Sequence, residues 1–186
     1  MKNVLLLGDS IRINYQSTVT KALADIATVH YPGENCRFAK YTLCCLTDWL
    51  KRFPAPNLIY WNNGIWDINR FFPDTGCFTT EAEYVRDMLA IHHQLTKTGA
   101  TICFATTTPV LPLDDHTASA KRNADIDSIN RRIVPILSSR GVHIHDLNAF
   151  VKPHAEEFIC EDTVHLSPAG IEQCGKEVSR FIREHL

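Results

Sequence analysis

The chain has 186 residues, of which 45% are hydrophobic and 22% are charged, and its formal net charge is -2. This composition is that of an ordinary globular protein, which argues against disorder, and the length suits a single domain over residues 1–186. Lys and Arg never occur in runs longer than two and the longest apolar runs are too short for a membrane span, so we expect neither a nucleic-acid nor a membrane partner.

The N-terminus and the cysteines predict where in the cell the protein is located and the redox state of its thiols. Only four apolar residues, 4–7, precede the first polar segment, which is too few for the core of a signal peptide. The seven cysteines include no CxxC pair, and an odd number of them argues against a disulfide framework. We therefore expect reduced thiols and a cytoplasmic location.

Strand-like and helix-like segments alternate along the chain. Short apolar runs predict strands at 3–7, 28–31, 58–62, 101–106 and 142–145. Helical patterns are predicted at about 17–27, 41–53, 80–97, 123–140 and from 167 to the C-terminus, with a kink or an early break at Pro135. This alternation predicts an α/β fold, a three-layer α/β/α sandwich around a five-stranded parallel sheet.

Polar residues collect where the predicted strands end. Gly8, Asp9 and Ser10 follow the first strand, and a long connection after the fifth strand leads to Asp162 and His165. In open parallel sheets ligands bind beyond the C-terminal ends of the strands, so the two ends of the chain can meet there. A serine hydroxyl needs a base and an orienting carboxylate to act as a nucleophile, and these residues supply all three groups.

The same two segments resemble a known family. Gly8-Asp9-Ser10-Ile11 resembles the first block of the GDSL, or SGNH, hydrolases, and 162–167 resembles their last block, with its Asp-x-x-His pair. The resemblance extends to residues 104–109 at the fourth strand. It implies a flavodoxin-like fold and a serine esterase without a cofactor, in which Ser10 is the nucleophile, His165 the general base and Asp162 its orienting partner.

The resemblance also implies an oxyanion hole. In the family its donors are the N–H of the serine, a glycine N–H after the second strand and an asparagine side chain after the third. Here these correspond to Ser10, Gly33 and Asn63. Another amide of residues 34–36 remains an alternative to Gly33, and Asn62 remains an alternative to Asn63, because both blocks depart from the family pattern.

Two further groups of residues have alternative interpretations. His143 and His145 have the spacing of a metal pair on one strand face, but no further ligand set accompanies them, so we expect no metal and expect one of the two to pack inside. The aromatic residues Trp61, Trp66 and 71–72 have two interpretations. Either they line a pocket for an acyl group or a sugar, or they belong to the core, which we favour for Trp61.

The sequence therefore predicts a hydrolase that cleaves a short acyl ester, an acetyl group on a sugar-like or other small alcohol, with a small-molecule ester as its partner. The alternatives within enzymes are an acyltransferase or a thioesterase or lysophospholipase that uses the same triad. The alternative of another class is a non-catalytic α/β module that binds a small ligand. No GxxxxGK[ST] or GxGxxG motif supports such a module.

Overall fold

The computed structural model describes residues 1–71, 76–112 and 116–186, with the backbone alone at 116–121. The strands are β1 Lys2–Leu7, β2 Ala27–His30, β3 Leu58–Trp61, β4 Thr101–Ala105 and β5 His143–His145. The α-helices are α1 Ser10–Ala22, α2 Ala39–Arg52, α3 Glu81–Thr96, α4 His116–Ser138, α5 Leu147–Val151, α6 Ala155–Phe158 and α7 Pro168–His185, and a 3₁₀ turn, Lys152–His154, joins α5 to α6.

The five strands form one sheet in the order β2-β1-β3-β4-β5, and every pairing is parallel. This is the flavodoxin-like order, so the predicted α/β class and parallel sheet are confirmed. The order reverses between β1 and β3, which makes the C-terminal end of β1 the expected ligand edge.

The strand side chains alternate between two apolar layers, one on each face of the sheet. In β1, Val4 and Leu6 pack with residues of α1 and α7, whereas Leu5 and Leu7 pack with residues of α2, α3 and α4. Helices on both faces explain why all four of these leucine and valine side chains are buried. The predicted three layers follow from this arrangement.

Three elements differ from the sequence-based prediction. Helix α1 begins at Ser10, not near 17, because the Asp9 carboxylate caps it by accepting the N–H of Ile11 at 3.0 Å. Helix α4 begins at His116 and passes through Pro135 to Ser138 without the early break. The segment 147–158, for which we predicted no strand, contains the short helices α5 and α6.

His145 is the histidine of the β5 pair that packs inside. Its Nδ1 lies 2.6 Å from the Tyr60 hydroxyl, and its ring stacks on Phe181, whereas His143 is exposed. All seven cysteines are free thiols. None of the described helices combines the length and apolar character that a bilayer crossing requires.

Candidate active site

Ser10 stands at the junction between β1 and α1, at the ligand edge of the sheet. The chain turns tightly there: a Cβ at Gly8 would lie 2.0 Å from Oδ1 of Asn62, so only glycine fits. Burial raises the pKa of the adjacent Asp9 to about 6, against hydrogen bonds from the Asn62 side chain and the Ile11 N–H. Ser10 is thus the first residue of α1, and the N–H groups of this first turn, which lack acceptors within the helix, point toward the ligand edge of the sheet.

Asp162 and His165 form a hydrogen-bonded pair in the turn before α7. Oδ2 of Asp162 lies 2.6 Å from Nδ1 of His165, and Oδ1 accepts the backbone N–H groups of Val164 at 2.9 Å and His165 at 2.8 Å. Partial burial alone would raise the pKa of Asp162, but these hydrogen bonds outweigh it and hold the pKa well below its ordinary value. The carboxylate is therefore ionised and fixes the imidazole with Nδ1 toward itself.

The turn is anchored at both ends. Thr163 adopts a left-handed conformation, with φ of 70°, and its carbonyl accepts the N–H of Leu111 at 2.9 Å. The N–H of Leu166 donates to Oδ1 of Asn14 on α1 at 3.1 Å. Because α1 also carries Ser10, this last contact ties the histidine turn to the helix of the serine.

The structure brings Ser10, Asp162 and His165 to one cavity of about 300 Å³. Its other polar lining residues are Asn35, Asn69 and Arg122, and Trp66 is among the apolar ones. In the described part of the chain, Nε2 of His165 has no hydrogen-bond partner and is available to a group in the cavity. A hydroxyl, an imidazole and a carboxylate thus share one concave site.

Comparisons with known proteins give matches in structure only. No protein-family model matches the chain, and no curated protein matches it in sequence. Among solved structures, the acetyl xylan esterase AlAXEase is 18% identical, with a TM-score of 0.81 over 97% of this chain and 99% of that one. Axe2, an acetylxylan esterase from Geobacillus stearothermophilus, is 16% identical, with a TM-score of 0.78 over 98% of this chain and 93% of that one.

A GDSL-like lipase from Bacteroides thetaiotaomicron is 14% identical, with a TM-score of 0.77 over 100% of this chain and 89% of that one. These alignments span the whole sheet and its helices. The chain has the GDSL hydrolase fold.

Within this GDSL fold, the Asn63 side chain does not face the cavity. It is fully buried on the α2 side of the sheet: its Oδ1 accepts the Trp61 indole N–H at 2.7 Å, and its Nδ2 donates to the Arg37 carbonyl at 2.8 Å and to Thr42 at 3.0 Å. Gly33 is exposed and is not among the cavity residues.

The two alternatives left open by the sequence occupy different places. Asn62 packs against Gly8 and hydrogen-bonds to the Asp9 carboxylate, and it is not among the residues that line the cavity. In the 34–36 loop, the backbone N–H of Cys36 donates to the Gly8 carbonyl at 3.1 Å, and Asn35, whose side chain the sequence did not suggest as a donor, lines the cavity with Ser10. Its Oδ1 accepts the N–H of Arg37 at 2.8 Å, and its Nδ2 makes no hydrogen bond to the residues that the structure describes.

A buried arginine holds the loop of Asn35 in place. The Arg12 guanidinium donates to the carbonyls of Pro32 at 3.1 Å, Glu34 at 2.7 Å and Gly8 at 3.2 Å. Since Arg12 is one turn along α1 from Gly8, it joins the loop after β2 to the end of β1. An arginine after a Gly-Asp-Ser segment gives no signal for this role in the sequence.

The aromatic residues divide between cavity and core. Trp66 lines the cavity, Trp61 is fully buried in the core as favoured, and Phe71 is exposed. Phe72 lies outside the described residues. Asn69 and Arg122 were not identified from the sequence, because their positions carry no motif and only the tertiary fold brings them to Ser10.

Proposed function

We propose that the protein is a serine ester hydrolase. The observation that carries the proposal is the 2.6 Å hydrogen bond between Asp162 and His165 in a cavity that Ser10 also lines. Neither an unassisted serine nor a lone histidine would form an acyl-enzyme efficiently, whereas the three groups together activate the hydroxyl.

In the proposed mechanism, Oγ of Ser10 attacks the ester carbonyl while Nε2 of His165 accepts its proton. Asp162 holds the ring in the tautomer with the proton on Nδ1 and stabilises the imidazolium that forms. His165 then gives the proton to the departing alcohol. A water molecule, whose proton His165 accepts, then attacks the carbonyl of the acyl-enzyme. This step releases the carboxylic acid, and the proton from His165 restores the Ser10 hydroxyl.

The tetrahedral intermediate needs donors for its oxyanion. We assign one donor to the N–H of Ser10, in the first turn of α1, where N–H groups have no acceptor within the helix. Of the two other donors suggested by resemblance, Gly33 and Asn63, neither is favoured by its surroundings. Nδ2 of Asn35 is the better candidate, because Arg37 holds the other end of that amide and Arg12 holds the loop.

The acyl group we propose is short, an acetyl group on a sugar-like alcohol. A cavity of about 300 Å³ suits a small acyl group together with a ring-sized alcohol. Two of the structural neighbours are acetyl xylan esterases by name, which supports the same substrate class. Trp66 offers an aromatic surface beside the serine.

A fluorophosphonate probe and a short-chain aryl acetate test the proposal. We expect the probe to label the wild-type protein and not the Ser10→Ala variant, and we expect the variant to lose acetate hydrolysis. Ser139→Ala, an exposed serine after α4, is the matched control and should behave as wild type. Labelling or hydrolysis that survives in Ser10→Ala would refute the assignment of the nucleophile.

A further inference from the structure

The strongest unexplained feature of the cavity is Arg122 on α4. Its side chain lines the same cavity as Ser10 and His165. The catalytic groups do not need it, since Asp162 already pairs with the imidazole. A cation beside a nucleophilic serine must therefore have another use.

Arg122 has no protein partner in the part of the chain that the structure describes. Its Nε is buried without a hydrogen bond, and burial lowers the pKa of the guanidinium. The two acids that follow on α4 are engaged elsewhere: Asp125 pairs with Arg70 at 2.8 Å and Asp127 with Lys152 at 3.5 Å. Neither supplies a counter-charge to Arg122.

A comparison with Arg12 shows which hydrogen bonds Arg122 lacks. Arg12 is fully buried and Arg122 only partly so, yet backbone carbonyls accept the N–H groups of Arg12, whereas the buried Nε of Arg122 has no acceptor. A buried guanidinium N–H without an acceptor is unfavourable, because it has lost water without gaining a hydrogen bond. A bound anion would supply both the charge and the acceptors, and the planar fork of Arg suits a carboxylate or another oxyanion.

Two neighbours complete a binding subsite. Asn69 lines the cavity with Arg122, and its side-chain amide makes no hydrogen bond to other described residues. Trp66 gives the same region an apolar wall. A few unpaired polar groups set in such a wall are typical of a site that orients a small ligand.

We propose that the substrate is an ester that carries an anionic group, which Arg122 binds while Ser10 faces the ester carbonyl. Asn69 donates a second hydrogen bond to the same end of the molecule. This inference rests on the proposed esterase function and narrows its substrate class. An acetyl group carries no charge, so in the acetyl ester proposed above the anion lies on the alcohol, whereas an anion on the acyl side would replace the acetyl group by a longer acyl group.

Two matched pairs of esters test the proposal with the full chain. On the acyl side, para-nitrophenyl hemisuccinate is compared with neutral para-nitrophenyl butyrate. On the alcohol side, para-acetoxybenzoate is compared with para-acetoxybenzamide. We expect the wild-type enzyme to prefer the anionic member of at least one pair in kcat/KM, and the responding pair identifies the portion that carries the charge.

The variants are Arg122→Gln, Arg122→Lys and the control Arg131→Gln, an exposed arginine on the same helix. We expect Arg122→Gln to lower the anionic-to-neutral ratio of kcat/KM by about 10- to 100-fold, the value of a lost charged hydrogen-bonding pair. Arg122→Lys should restore part of the ratio, and Arg131→Gln should leave it as in wild type. A wild-type enzyme without preference in either pair, or a ratio unchanged in Arg122→Gln, would overturn the proposal.

Binding to the Ser10→Ala variant separates this inference from the proposed function. Calorimetric titration with para-acetoxybenzoate and para-acetoxybenzamide does not require turnover. Tighter binding of the anion, lost when Arg122→Gln is added, supports the subsite even if no ester is hydrolysed. Hydrolysis that depends on Ser10 but shows no preference for an anion would retain the esterase and remove the subsite.

Discussion

The carboxylate of Asp162 lies 2.6 Å from the His165 ring and also accepts the N–H groups of the turn that carries this histidine. One side chain therefore shapes the backbone and orients the imidazole. The Cys160 thiol also donates to Oδ1, at 3.3 Å, so four donors hold the charge and the pair is set before a substrate arrives.

Replacing Asp162 by Asn should uncouple these roles. The amide keeps the size of the side chain but favours the wrong imidazole tautomer, so we expect kcat to fall by about 10²- to 10⁴-fold with a smaller change in KM. Because the pKa of Asp162 lies well below its ordinary value, an acid limb above pH 4 in the wild-type pH–rate profile cannot arise from this carboxyl group. Steady-state kinetics between pH 4 and 9 measure both effects, and a kcat within threefold of wild type would contradict the assignment.

The oxyanion role of Asn35 can be tested with two variants. Asn35→Asp keeps the oxygen that accepts the Arg37 N–H but removes the Nδ2 donor, whereas Asn35→Ala removes both. We expect each to lower kcat by about 10²- to 10³-fold, as for loss of one oxyanion donor, with KM changed much less. If Asn35→Ala retains wild-type kcat while its melting temperature is also unchanged, the side chain is not a donor.

Removing the Arg12 guanidinium should loosen the loop of Asn35. Arg12→Met leaves the carbonyls of Pro32 and Glu34 without their donor, so we expect the free energy of unfolding to fall by about 2–4 kcal/mol. Urea denaturation measures this loss, and Arg131→Met on the exposed face of α4 is the control. Equal stability of the two variants would show that the contacts of Arg12 do not hold the loop.

Asp67 should make stability depend on pH. Both carboxylate oxygens lie 3.1 Å from the Ala39 N–H at the start of α2, yet burial raises the pKa of Asp67 to about 7. The folded state then binds more protons than the unfolded state between about pH 4 and pH 7, so this group lowers stability as the pH rises through that window.

Asp67→Asn removes that titration. We expect the variant to gain stability relative to wild type on the order of 1 kcal/mol for each pH unit between about 4 and 7, with no further relative change above pH 8. Asp9, whose pKa is about 6, titrates in both proteins, and its charge is one of the causes that raise the pKa of Asp67. Parallel stability curves from urea titrations at pH 4 to 8 would contradict the raised pKa.

Much of the fold follows from local patterns. The apolar runs and the helix signals are properties of a few neighbouring residues, and the structure contains one such signal, the Thr80–Glu83 capping box, at the start of the helix predicted at 80–97. The predicted start of α1, near residue 17, was wrong by several residues, because the helix depends on the cap from Asp9 and on packing against α7. Pro135 did not break α4, although a proline leaves the carbonyl four residues earlier, that of the exposed Arg131, without its helical N–H donor.

Local sequence patterns are sufficient to predict the α/β class, the parallel sheet and the meeting of Ser10 with Asp162 and His165, because each rests on a short motif or on the rule that strand ends share one edge. The packing of distant elements, by contrast, is what turns Asn63 into the core and brings Asn35 and Arg122 to the cavity that Ser10 lines. Adjacent residues such as Asn62 and Asn63 leave a strand end in different directions, and what each of them contacts depends on partners distant in the chain. That information lies in the packing of several elements together and in no single segment.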